Sequence, residues 1–225
     1  MKVGYATLYD DGELVISKNH TILSKKIYKD YGEFADISVP WKNERKRINK
    51  VNILNQVKSN CMKQWFYDCT NLTSLIDFTN LDISDCEDFS WMFYSCTSLQ
   101  NISALESWDV SNGTDFSRMF DNCSSLQDIS ALESWNVSNG TDFSYMFYNC
   151  SSLQNINGLE NWNVENGMDF SFMFAHCKSL QDISVSNTLT ILTKKMFYNC
   201  NPNLKIHWKK HTYTYADLLE YEEIC

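Results

Sequence analysis

Apolar and polar positions in this chain recur on a fixed beat. Met-Phe pairs fall at Met92-Phe93, Met119-Phe120, Met146-Phe147 and Met173-Phe174, each step 27 residues, and a shorter step of 23 reaches Met196-Phe197. Cysteines keep the same beat at Cys69, Cys96, Cys123, Cys150, Cys177 and Cys200, and tryptophans at Trp108, Trp135 and Trp162. Self-similarity at such a period marks units that bury their apolar face only against neighbouring units.

Within one unit, Leu126 to Leu132 has the rhythm of a short strand, and Asn139-Gly140 signals a turn. Thr141 suits a helix N-cap, with Asp142 beside it at the positive end. Phe143, Met146, Phe147 and Cys150 then sit at i, i+3, i+4 and i+7, the inward stripe of a two-turn helix. The pattern predicts an α/β repeat solenoid, a leucine-rich-repeat-like right-handed coil with one short strand and one short helix per unit. Residues 51–203 form its body.

The flanks differ. Residues 3–17 alternate around Asp10-Asp11-Gly12, a β-hairpin signature, and residues 1–50 read as a capping module. Ile48 to Leu54 reads as a strand entering a degenerate first unit, where Trp65-Phe66 replaces Met-Phe. Residues 204–225 read as a C-terminal cap: Leu204 to Trp208 and Thr212 to Tyr215 as edge strands, then an acidic tail from Leu218 to Cys225.

The run Trp108-Asp109-Val110-Ser111-Asn112-Gly113-Thr114-Asp115-Phe116-Ser117, followed by Met119-Phe120 and Cys123-Ser124-Ser125-Leu126, resembles the BspA-type leucine-rich repeats of bacterial surface proteins. That family includes a variant first noted in mycoplasma lipoproteins. Ser179-Leu180 through Cys200 is similar to the family's 23-residue form. The segments Asp11 to Ser17, Pro40-Trp41 and Ile48 to Val51 resemble its leader module. The resemblance implies a leucine-rich-repeat fold and a secreted or anchored adhesin.

Charge narrows the partners. The net charge is −9, yet residues 1–50 carry ten Lys/Arg against seven Asp/Glu. Between Asp68 and Asp182 seventeen acids face two bases, Arg118 and Lys178. A body of net −15 repels phosphate backbones, so direct nucleic-acid binding there is not expected, whereas a basic protein is steered toward it. The N-terminus shows no apolar signal-peptide core, and uncharged runs such as Phe89 to Leu105 are too rich in Ser, Asn and Gln to span a bilayer. These features point to the cytoplasm, with the cell surface as the alternative if a leader was removed.

Candidate chemistry is sparse. No Cys-x-x-Cys pair occurs, and cysteines one unit apart point the same way, so a buried, reduced structural ladder is expected rather than zinc or disulfides. Cys61, Cys86 and Cys225 lie off that ladder, and Cys225 is the expected reactive thiol. His176-Cys177 diverge as neighbours, and His20, His207 and His211 sit in cap regions without a nucleophile motif. The cluster Asp82, Asp85, Glu87 and Asp88 lacks calcium-loop spacing and reads as a solvated face. No catalytic residues, metal or cofactor are expected, and the chain reads as non-enzymatic.

Comparing units exposes positions that packing leaves free. The residue before Met is Trp91, Arg118, Tyr145, then Phe172. The residue after Phe is Tyr94, Asp121, Tyr148, then Ala175, and the next series ends in His176. Trp, Tyr and Arg dominate interface hot spots, so Trp91, Tyr94, Arg118, Asp121, Tyr145, Tyr148, Phe172 and His176 are candidate partner contacts. The alternative is the polar strand face: Gln127, Asp128, Ser130, Gln154 and Asn155. The expected function is protein binding through the acidic, aromatic-bearing surface. Two settings suit it: adhesion of the BspA type, or a phage-encoded cytosolic inhibitor of a basic nucleic-acid-processing immune enzyme. Partner identity and oligomeric state stay open.

Overall fold

The computed structural model describes residues 2–35, 38–189, 192–193, 195–220 and 223–224. Cys225, expected above to be reactive, lies outside them. Three strands open the chain: β1 (Lys2–Tyr9), β2 (Glu13–Ser17) and β3 (Ile27–Ala35). β1 pairs antiparallel with β2 across the Asp10-Asp11-Gly12 turn, and antiparallel with β3 on its other edge. Gly12 sits at φ +87°, where a Cβ would also strike the Arg47 carbonyl at 2.6 Å. β4 (Lys50–Leu54) then lies parallel to β2, and after the short β5 (Val57–Lys58), β6 (Ser74–Ile76) lies parallel to β4. The order β3-β1-β2-β4-β6 makes one mixed sheet, so the capping hairpin and the first unit share hydrogen bonds. Trp41 completes the cap: it is fully buried, stacks on Phe66 at 6.4 Å and donates its indole N–H to the Trp65 carbonyl at 2.8 Å.

Beyond this sheet the expected α/β solenoid, with a strand and a helix in every unit, is not what forms. Among the described residues one helix appears, α1 (Tyr215–Glu220), together with five isolated 3₁₀ turns. After β7 (Leu81–Asp82), which pairs with β5, no strand occurs until β8 (Asp182–Ser184). β9 (Leu192–Thr193), β10 (Lys205–Trp208), β11 (His211–Thr214) and β12 (Glu223–Ile224) complete the C-terminal end. β10 pairs with β8 and β11, and β12 with β9.

The expected strand from Leu126 to Leu132 is absent for a local reason. Asp128 Oδ1 accepts the Ser130 N–H at 2.8 Å, as Asn101 does from Ser103 and Asn155 from Asn157. These two-residue side-chain turns divert the backbone from a ladder into the 3₁₀ turns Ser103–Leu105, Ser130–Leu132 and Asn157–Leu159.

The expected helix fails for a different reason. Along Phe116 to Cys123, alternate N–H groups cross to the following unit: Phe116 to the Asp142 carbonyl, Arg118 to Ser144, Phe120 to Met146 and Asn122 to Tyr148, at 2.7–3.0 Å. The N–H groups between them close three-residue turns, Met119 to Phe116, Asp121 to Arg118 and Cys123 to Phe120. That alternation places Arg118 (φ 56°) and Asn122 (φ 62°) in the left-handed region, and the same two positions are left-handed in each 27-residue unit. Phe, Met, Phe and Cys still face inward, so the side-chain pattern of a helix survives without helical backbone.

Inside, like packs on like. Phe66, Phe93, Phe120, Phe147, Phe174 and Phe197 form a column with ring centroids 5.4–5.6 Å apart. Phe89, Phe116, Phe143 and Phe170 form a second at 5.3–5.5 Å. Trp108, Trp135 and Trp162 form a third, and each donates its indole N–H to a carbonyl of the preceding unit: Phe78, Leu105 and Leu132. Cys96, Cys123, Cys150, Cys177 and Cys200 each direct Sγ at the carbonyl of a phenylalanine one unit back, at 3.0–3.2 Å. Gly140 is required by this packing, because a Cβ there would lie 2.4 Å from the Phe143 ring.

Two outcomes follow. Far-UV circular dichroism should show no pronounced helical minima, whereas helical minima of several tens of percent would refute this backbone. Phe120→Ala empties one rung of a fully buried column and should lower unfolding free energy by about 3–5 kcal/mol in urea titration.

Candidate functional site

The backbone that makes the core also makes one outer face. Residues 142–149 project Asp142, Ser144, Tyr145, Tyr148 and Asn149 away from the buried Phe143, Met146 and Phe147. Repetition turns each outward residue into a column running along the stack.

The column before Met holds Trp91, Arg118, Tyr145 and Phe172, all half-buried and all left-handed, with φ between 56° and 62°. A bulky residue there costs about 1–2 kcal/mol of backbone strain. Contact along the column offsets it: the Arg118 guanidinium lies 4.7 Å from the Trp91 ring and 3.8 Å from Tyr145, and Tyr145 stacks on Phe172 at 5.0 Å.

The column after Phe holds Tyr94, Asp121 and Tyr148. Tyr94 leans on Trp91 at 4.9 Å, and Tyr148 on Tyr145 at 5.5 Å. Asp121 is 3% exposed and its Oδ2 accepts from Arg118 Nη1 at 2.8 Å. Burial pushes its carboxyl up to about 6, against the opposing pull of that guanidinium. Ala175 is buried, and His176 fills the space over it, 5.0 Å from Tyr148 and 5.7 Å from Tyr198. Its imidazole is held below the usual histidine value by partial burial and by Lys178.

All eight candidate contacts therefore meet in one band. The sequence comparison missed its ends. Tyr67 stacks on Tyr94 at 4.7 Å with the Arg45 guanidinium 4.9 Å from its ring, and exposed Tyr198 lies 6.2 Å from Phe172. Both tyrosines follow a Phe, at Phe66 and Phe197, so extending the alignment one unit each way would have found them.

Beside the band runs an acidic column. Asp88, Asp115, Asp142 and Asp169 pair successively through parallel bridges, and Oδ1 of each accepts the N–H of the serine two residues on. Lys63 pairs with Asp88 at 3.1 Å. Among the described residues no cation pairs with the other three. Asp142 thus caps a side-chain turn rather than a helix, and Thr141 donates Oγ1–H to the Thr114 carbonyl of the preceding unit.

The alternative face stays polar and open. Gln127, Asp128, Ser130 and Gln154 are exposed and Asn155 half-buried, and a shallow groove runs along Gln100, Asn101, Gln127 and Asp128. Of its side chains, Asn101, Asp128 and Asn155 serve the turns described above.

The cysteines of the regular series offer no thiolate. All six of the regular series are buried and free, and burial raises every one, Cys200 to about 12. Asp82 and Asp85 face Lys58, Asp85 at 2.7 Å. Among the described residues no group of three or more His, Cys, Asp or Glu is placed to hold a metal, and no helix is long and apolar enough to cross a membrane.

Residues 60–188, more than half of the chain, match the model of a family described as "Mycoplasma protein of unknown function, DUF285". The chain belongs to that family. The match begins in the first unit and ends in the 23-residue step, so it covers the band from Tyr67 to His176 and stops short of Tyr198. No curated protein matches this DUF285 chain. Among solved structures it is similar to a leucine rich cell surface protein from Faecalibacterium prausnitzii A2-165, 16% identical over 92% of this chain and 76% of that one. The TM-score is 0.31, and at that level the likeness bears on neither fold nor role.

Asp121 gives the site a pH signature. A carboxyl raised from 3.8 to about 6 in the folded state binds a proton that the unfolded chain has released between those values. Its contribution is therefore fully present below about pH 4 and lost as pH rises through about 6. Asp121→Asn should flatten that segment of the stability–pH curve and stabilise the protein at pH 8; an unchanged curve would place the titration elsewhere.

Proposed function

We propose that this chain is a non-catalytic protein-binding module, and that it engages a partner of basic surface through the aromatic band and its acidic column. The observation that carries the reading is the run of half-exposed rings from Tyr67 to Tyr198, bridged at its central unit by the Arg118 guanidinium and held in place by cross-unit hydrogen bonds beside Asp115, Asp142 and Asp169. Ordered rings lose little conformational entropy on contact, which suits them to anchoring an interface. The net −15 between Asp68 and Asp182 steers a basic protein toward this face and repels nucleic acid. A non-catalytic role is supported by thiols held protonated through burial and by carboxylates engaged in turns or ion pairs. Adhesion at a cell surface and inhibition of a basic intracellular enzyme would both use the same face.

Affinity capture from a native extract tests this with two variants. Trp91→Ser with Tyr148→Ser and Tyr198→Ser should weaken capture of the wild-type partner about tenfold or more, and added salt should weaken it further. Gln127→Ala with Asp128→Ala and Gln154→Ala should leave it unchanged. The opposite pattern would move the interface to the polar groove, and turnover of a substrate by the pure protein would end the non-catalytic reading.

A further inference from the structure

We infer that the partner is recognised through arginine side chains, which lie on the rings of the band while their guanidinium groups reach the free carboxylates beside it. The inference rests on the protein-binding reading above and adds the chemistry of the contact.

The band already holds a guanidinium group of this chain in that way. Arg118 replaces an aromatic residue in the column before Met and keeps the stack continuous, lying between Trp91 and Tyr145 while Nη1 donates to a carboxylate at 2.8 Å. At the N-terminal end the Arg45 guanidinium lies over Tyr67, with Nη2 donating to the Gln64 carbonyl at 3.3 Å. The rings of the two columns are tilted against each other, by 47° at Trp91–Tyr94 and 51° at Tyr145–Tyr148, so the band is not a closed face-to-face stack. Tyr148 and Tyr198 have only tilted or edge-on ring neighbours, so no ring is stacked face to face on either.

The carboxylates are within reach. Asp142 lies three residues before Tyr145, and three residues of chain span about 10 Å at most. An arginine stem laid across a ring spans much of that distance. Only Oδ1 of each aspartate is used by the serine turn, which leaves Oδ2 of Asp115, Asp142 and Asp169 to receive a donor. Repeated every unit, about 4.8 Å apart, these sites take several arginines of one segment together. Lysine fits this surface less well, because its compact ammonium is strongly hydrated and offers no plane to stack.

Isothermal titration of the full chain with an oligo-arginine and an oligo-lysine peptide of equal length tests the inference. The arginine peptide should bind about fivefold or more tightly than the lysine peptide. Tyr148→Leu, which keeps apolar bulk without a ring face, should abolish that preference. Asp115→Asn with Asp142→Asn and Asp169→Asn keeps the turn acceptors and should weaken both peptides at least tenfold, with melting temperature checked for each variant. Equal affinity for the two peptides that falls together in the aspartate variant would overturn arginine recognition while leaving a basic-partner face in place. Binding of neither peptide would overturn it as well, and capture from extract then decides the broader reading alone.

Discussion

The structure depends on where the backbone N–H groups of each unit's outer segment are sent. Half of them cross to the next unit and half close tight local turns, and the chain achieves this by placing two left-handed residues four positions apart in each unit. In a helix the N–H groups beyond the first turn would be satisfied within the segment, and neighbouring units would meet through side chains. Here the units are hydrogen-bonded to one another directly. The Phe, Trp and Cys columns follow, because cross-bonded segments hold equivalent residues one strand spacing apart.

That bonding scheme puts an unusual demand on residues such as Trp91, Tyr145 and Phe172. They occupy a conformation natural to glycine or asparagine, although they are among the bulkiest side chains available. Asn122, Asn149 and Asn199 meet the same demand at the second left-handed position with the expected residue type, and their side chains link successive units. An asparagine would relieve strain at Tyr145 too, so an aromatic there is not explained by backbone preference. What the aromatic gains there is contact along the column, with Arg118 on one side of Tyr145 and Phe172 on the other.

Much of this was legible in the amino-acid order. The period, the inward residues, the hairpin around Gly12, and the strands later seen as β4, β10 and β11 follow from spacing and turn chemistry alone. The helix was misread because Phe143, Met146, Phe147 and Cys150 face inward equally well from a helix and from a segment with two left-handed turns, and hydrophobic period does not distinguish them. The strand at Leu126 to Leu132 was misread because Asp128 and Ser130 were counted as surface residues rather than as a turn that competes with a ladder. Asp142 was seen, but assigned to a helix end; its recurrence as Asp88, Asp115, Asp142 and Asp169 marks a column instead.

The distribution of charge gives the face a direction. The cap carries net +3, the stack between Asp68 and Asp182 carries −15, and from residue 183 to residue 216 the chain has five lysines and no acid. A basic partner of the kind proposed would be drawn to this middle span and repelled by the cap, which would limit how far it slides along a repetitive surface. Repetition alone would offer equivalent sites at every unit. Arg118 and Asp121 break that equivalence at the central rung, where a cation and a carboxyl replace two rings. On the proposed reading, a surface built from like units would acquire a fixed register: attraction would confine the partner to the acidic span, and the one dissimilar rung would mark a place within it.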